Sequence, residues 1–164
     1  MVKKTEDTIR ICQEAGIEDI WLLTSSEVKE YPGISNLYSK VPMKEVPSIY
    51  RSCDVLVKLS TVEGMFGPPL EMMHCGGTAI TNNVTGYDEY MVSYHNGIVT
   101  DMGNEQQVIK ALQMLRTSPM LLQKLKIGAR DTAINWPDWS KAVNEMEQFI
   151  YGVIEQDTSD LDFK

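Results

Sequence analysis

Four short apolar runs, Ile20–Thr24, Asp54–Leu59, Thr78–Thr81 and Ile98–Thr100, recur along the chain with helix-patterned segments between them. A continuous apolar run of this length has no polar face to give to water, so as a strand it must be covered on both sides. Strands joined through helices pair in parallel, because the crossover returns the chain to the same end of the sheet. The pattern therefore predicts an α/β fold: a Rossmann-like three-layer α/β/α sandwich with a parallel sheet, in one domain over residues 1–154. A weaker strand is expected at Leu37–Val41. Helices are expected at Thr5–Ala15, Val46–Cys53, Pro68–Cys75, Tyr87–Val92, Glu105–Arg116, Pro119–Ile134 and Asp138–Ile154. The acidic segment Glu155–Lys164 lacks periodicity and is read as a disordered tail.

Composition narrows the function classes. At 164 residues and 43% hydrophobic content, the chain is long enough for one ordinary core and too short for two. A formal charge of -8 repels phosphate backbones and anionic lipid heads, which argues against a nucleic-acid partner. Cys12, Cys53 and Cys75 are odd in number, far apart and outside any metal-ligand spacing, so neither a disulfide framework nor a zinc site is expected. With no signal peptide and no apolar stretch of roughly 18 residues, the expected setting is cytoplasmic.

The chemistry concentrates in Ser60-Thr61-Val62-Glu63-Gly64-Met65-Phe66-Gly67-Pro68-Pro69-Leu70-Glu71, which joins a strand to a helix. In a parallel sheet ligands bind at the carboxyl ends of the strands, where this junction lies. Gly64 and Gly67 let the backbone approach a ligand closely. The helix start offers amide donors and the positive end of a dipole, a place for phosphate. Pro68 and Pro69 carry no N–H, so the donors expected there are the amides of Phe66, Gly67, Leu70 and Glu71. Glu63 on the loop can accept bonds from sugar hydroxyls, and the two oxygens of Glu71 can accept both protons of a ribose diol. A plainer reading stands beside this one: a glutamate in the first helical turn gains ~0.3–1 kcal/mol from the dipole without any ligand.

Glu63 and Glu71 fall at the Glu-x7-Glu spacing, and the residues around them agree in order: Asp54-Val55-Leu56-Val57 and Ser60 before, Pro69-Leu70-Glu71 through Gly76 after. Upstream, Val41-Pro42 through Tyr50, and downstream, Asn96-Gly97-Ile98-Val99 with Asp101, complete the set. Together they resemble the group 1 (family 4) retaining glycosyltransferases, over about Ile20 to Phe149, and specifically the C-terminal, donor-binding half of their GT-B architecture. The resemblance implies that Glu63 contacts the donor sugar as the catalytic residue, and that Glu71 holds the ribose. It also implies that Ser60 and Leu70 line the donor site, and that the Gly64-Met65-Phe66-Gly67 backbone meets the diphosphate. Lys4 stands near the diphosphate lysine of the family, Ser39 near its base pocket, and Gly86, with Glu89, on a second loop beside the donor.

What the family does follows as expectation. The donor is a UDP-, GDP- or dTDP-sugar, no metal or other cofactor takes part, and the sugar passes with retention to a polysaccharide, glycoconjugate or lipid-linked acceptor. The acceptor-binding N-terminal domain of the family has no counterpart in these residues, so this chain alone is expected to be an incomplete, inactive part of an enzyme. Any membrane association, peripheral to the inner face, would come through that other domain. Two alternatives remain from the residues: a non-catalytic interaction module on the same fold, and another GT-B enzyme such as a nucleotide-sugar epimerase.

Overall fold

The computed structural model describes the backbone of residues 2–159 and the side chains of residues 5–154. In chain order its elements are α1 (Val2–Glu14), β1 (Trp21–Thr24), β2 (Asn36–Ser39), α2 (Val46–Arg51), β3 (Val55–Lys58), α3 (Gly67–His74), β4 (Thr78–Asn82), β5 (Gly97–Thr100), α4 (Glu105–Thr117), α5 (Pro119–Asn135) and α6 (Trp139–Ser159). The helix expected at Tyr87–Val92 is instead a single 3-10 turn, Tyr87–Glu89.

Every strand pair is parallel, as the alternation predicts: β1 with β2, β3 with β4, and β4 with β5. The ladder is not continuous, however. β1–β2 form one sheet and β3–β4–β5 another. Burial follows from this. β4 has partners on both edges and is buried at every residue, whereas β1 and β3 have one ladder partner each and are only half-buried.

Both sheets face one core. Ile9, Ile11 and Cys12 from α1 meet Ile80 and Ile98 from β4 and β5 and Val108, Leu112 and Leu115 from α4, with Leu22, Val55 and Val57 packed alongside. Each large apolar side chain so buried contributes roughly 1.5–3 kcal/mol. Val55 and Val57 therefore point to this core, and the pleat turns Leu56 and Lys58 to the opposite face. Burial pushes the Cys12 thiol up to about 11, the behaviour of a small core residue rather than a reactive one.

Asn96 closes the fold behind the sheet. It is 1% exposed, and its side chain accepts from the Val92 amide at 2.8 Å while donating to the Tyr90 carbonyl at 2.6 Å and the Thr132 hydroxyl at 2.9 Å. One amide thus ties the segment before β5 to α5. Asn96→Ala leaves those partners without a mate in a dry site, and a loss of about 2–4 kcal/mol is expected in urea titration. A loss under about 1 kcal/mol would mean that water replaces the amide.

The chain divides into two compact units, Met1–Ile134 and Asn135–Lys164. The second holds α6, which continues to Ser159 where a disordered tail was expected from Glu155. Residues 160–164 of the expected tail lie outside the described residues. Among the described residues, no helix is long and apolar enough to cross a membrane.

Candidate functional site

β3 ends at Lys58 and α3 begins at Gly67, so an irregular loop carries the first glutamate. Its fixed points come from the connection that follows β4. The Asn82 side chain accepts from the Ser60 amide at 2.9 Å and donates to the Ser60 carbonyl at 2.6 Å. Gly86, at φ +82°, packs against the Gly64 carbonyl so closely that a Cβ there would lie 2.3 Å from the oxygen. Tyr90 donates its hydroxyl to the Phe66 carbonyl. Three residues one turn apart in sequence thus hold the loop at positions 60, 64 and 66.

Glu63 is held from within the loop. The Ser60 hydroxyl donates to its Oε1 at 2.6 Å, and the Lys58 ammonium lies 3.7 Å from the same oxygen. Its side chain is 28% exposed. One carboxylate oxygen is thereby fixed and the other is left for a ligand. Ser60 is itself buried, so it reaches a donor only through Glu63.

Glu71 is placed differently from the sequence expectation. Because α3 begins at Gly67, the first turn contains no acidic residue and Glu71 lies beyond it. The dipole effect decays within the first turn, so it accounts poorly for this glutamate. The carboxylate nevertheless reaches back toward the helix start: Oε1 lies 3.7 Å from where a Cβ on Gly67 would be. From α2, the buried Tyr50 stands beside Glu71. Burial and then the Glu71 charge push the Tyr50 phenol up to about 12, so at neutral pH it is protonated.

Among the expected amide donors, that of Gly67 is closed on the Met65 carbonyl at 3.0 Å. Leu70 is 6% exposed and Phe66 has no exposed surface, so their side chains anchor the loop in the core. Gly64 and Met65 are exposed, and their amides have no hydrogen-bond partner among the described residues.

Three further positions resolve. Ser39 accepts from the Val28 amide at 2.9 Å and donates to the Ser26 carbonyl at 2.9 Å, so its hydroxyl closes its own loop instead of facing a base. The side chain of Lys4 lies outside the described residues. Gly86 meets Gly64 rather than open space. Cavities of about 450 and 480 Å3 lie along residues 29–37 and 13–35 and include no residue of the glutamate loop. Glu71 is exposed and Glu63 half-buried.

Lys58, Asn82, Tyr50 and Tyr90 were not among the residues singled out from sequence. Lys58 and Asn82 did carry a signal, a polar residue at the carboxyl end of an apolar strand. The two tyrosines carried none, since each is an ordinary aromatic in a helix or turn segment.

A family profile described as Glycosyl transferases group 1 matches residues 24–132, well over half of the chain. The chain belongs to this family. The match spans the glutamate loop, its three anchors and the strands that present them. Solved structures agree on the fold of this group 1 glycosyltransferase chain. A sucrose-phosphate synthase from Thermosynechococcus elongatus superposes with a TM-score of 0.75 at 15% identity, over 92% of this chain and 42% of its own. The C-terminal domain of a group 1 family glycosyl transferase from Francisella tularensis gives 0.60 at 21% identity, over 82% and 62%. Anabaena HepE, in complex with UDP-glucose, gives 0.62 at 15% identity, over 92% and 53%. At these identities the likeness is one of fold, and the chain spans between 42% and 62% of the length of these proteins. A comparison with curated proteins finds no match.

Proposed function

We propose that this chain is the donor-binding half of a retaining glycosyltransferase and holds a nucleoside-diphosphate sugar on the surface above β3 and β4. In this reading Glu71 accepts the ribose diol, Glu63 meets the sugar with its open oxygen, and the exposed Gly64 and Met65 amides face the diphosphate. The observation that carries it is Glu71, an exposed carboxylate near the start of α3 with its Oε1 turned toward Gly67 and the protonated Tyr50 beside it. The Anabaena HepE complexes with UDP and with UDP-glucose support the class of ligand.

Catalysis here is positioning together with electrostatic stabilisation of the leaving diphosphate, both large terms in group transfer. The chain supplies the cation Lys58, backbone amides and the start of α3, and the transfer needs no metal ion. The acceptor is a polysaccharide, a glycoconjugate or a lipid-linked sugar, bound by a second lobe on the cytoplasmic side. Without that lobe, water enters the site and turnover by this chain alone is negligible.

Isothermal calorimetry tests the core of this reading. Among UDP, GDP and dTDP, at least one is expected to bind with measurable heat, equally with and without a chelator of divalent ions. Silence with all three would leave the family's fold without its ligand and would overturn the proposal. Binding that disappears on chelation would overturn its metal-free part.

A further inference from the structure

We infer that Asn82 is a positioning residue for the donor sugar: it touches no ligand, and it sets Glu63 by gripping Ser60. The inference rests on the reading just proposed for Glu63. The backbone ladder between β3 and β4 ends at the pair Lys58 and Thr81. Past that point the Asn82 side chain takes over as a backbone mimic, its amide pairing with both the N–H and the C=O of Ser60 at 2.9 and 2.6 Å. Asn82 is 4% exposed and Ser60 is 9% exposed, so the grip sits out of water, where it is stronger and costly to break. A planar amide is the side chain that offers a donor and an acceptor side by side; alanine offers neither, and an ionised aspartate offers two acceptors.

The grip is passed on through one residue. Ser60, fixed at both backbone groups, has its hydroxyl aimed at Glu63 Oε1 at 2.6 Å, with the Lys58 ammonium 3.7 Å from the same atom. The rotamer of Glu63 is then set by one donor and one nearby cation on the same oxygen. Neither Tyr50 nor α2 nor the Glu71 carboxylate contributes a bond to this chain of contacts, so the nucleotide half of the site is held independently. Asn82 governs the sugar half alone.

The test compares UDP with UDP-glucose, UDP-galactose and UDP-N-acetylglucosamine by calorimetry on the 164-residue chain. The readout is the factor by which the best UDP-sugar binds more tightly than UDP. Asn82→Ala is expected to reduce that factor roughly tenfold while changing the affinity for UDP itself by less than about twofold. Ser60→Ala cuts the next contact and is expected to do the same, and the double variant is expected to lose no more than either single one. Asn82→Asp supplies a pH readout. When protonated it can still donate to the Ser60 carbonyl, so the factor is expected to persist at acid pH and to fall as pH rises and the carboxyl ionises.

Failure of the wild type to bind any nucleotide sinks the proposed function itself. A wild type that prefers a UDP-sugar, paired with an Asn82→Ala variant that keeps the same preference, overturns the role of Asn82 and leaves the function standing. Additive losses in the double variant overturn the relay through Ser60. Should Asn82→Ala fail to fold, Asn82→Asp and Ser60→Ala carry the comparison.

Discussion

Gly86→Ala is expected to lower the melting temperature by roughly 5–15 °C, and Gly64→Ala to leave it nearly unchanged, although the two glycines face each other. At position 86 the backbone is left-handed, φ +82°, where a side chain costs about 1–2 kcal/mol. A Cβ there would also meet the Gly64 carbonyl at 2.3 Å, and forcing an atom into packed backbone costs about 1–3 kcal/mol more. Position 64 has no positive φ, and nothing lies within 4 Å of its Cβ direction. The functional expectation is the reverse: with the Gly64 amide facing the diphosphate, a methyl group at 64 is expected to weaken UDP binding roughly tenfold without unfolding anything. Differential scanning calorimetry and titration calorimetry on both variants separate the two effects. Equal melting temperatures for the two variants would mean that the loop after β4 does not brace the glutamate loop.

That bracing was the part of the site hardest to read from sequence. The strands announced themselves because a run such as Thr78-Ala79-Ile80-Thr81 has no solvent face, and the structure buries every residue of β4. The junction of β3 with α3 was equally legible, since Pro68 and Pro69 mark a helix start and Gly76 its end. The helix begins one residue earlier than expected, at Gly67, which moves Glu71 out of the first turn.

The remaining differences are contacts between segments distant in sequence. Ser39 has the residue type of a ligand contact, but its hydroxyl is taken by Val28 and Ser26 across its own loop. Gly86 is a clearance for the Gly64 carbonyl. Gly67 was expected to offer its amide, and the Met65 carbonyl occupies it. Local pattern shows which backbone groups a helix start exposes; it does not show which side chain from a later loop arrives to satisfy them. The division into two sheets is of the same kind, because strand order depends on pairing and not on the apolar content of a run.

Glu71→Ala is expected to weaken UDP binding by a factor of roughly 100–1,000, the equivalent of about 3–4 kcal/mol for two charge-assisted bonds to a diol. The fold should barely notice. Glu71 is exposed and lies outside the first turn of α3. Glu71→Gln removes the charge and puts an NH2 where one ribose hydroxyl would donate. It is expected to fall between alanine and wild type, about 10–30-fold weaker than wild type, since a neutral bond is about half as strong as a charged one. Glu63→Ala should leave UDP binding close to wild type and remove the preference for a UDP-sugar, because its open oxygen faces the sugar and not the nucleoside. The opposite pattern for Glu71→Ala, a lowered melting temperature with UDP affinity intact, would return that glutamate to a structural role on α3. The two carboxylates have different supports, Tyr50 for one and the chain from Asn82 through Ser60 for the other. Independent supports are what a surface needs to hold the two ends of one ligand by separate means, and the two glutamate variants measure each end alone.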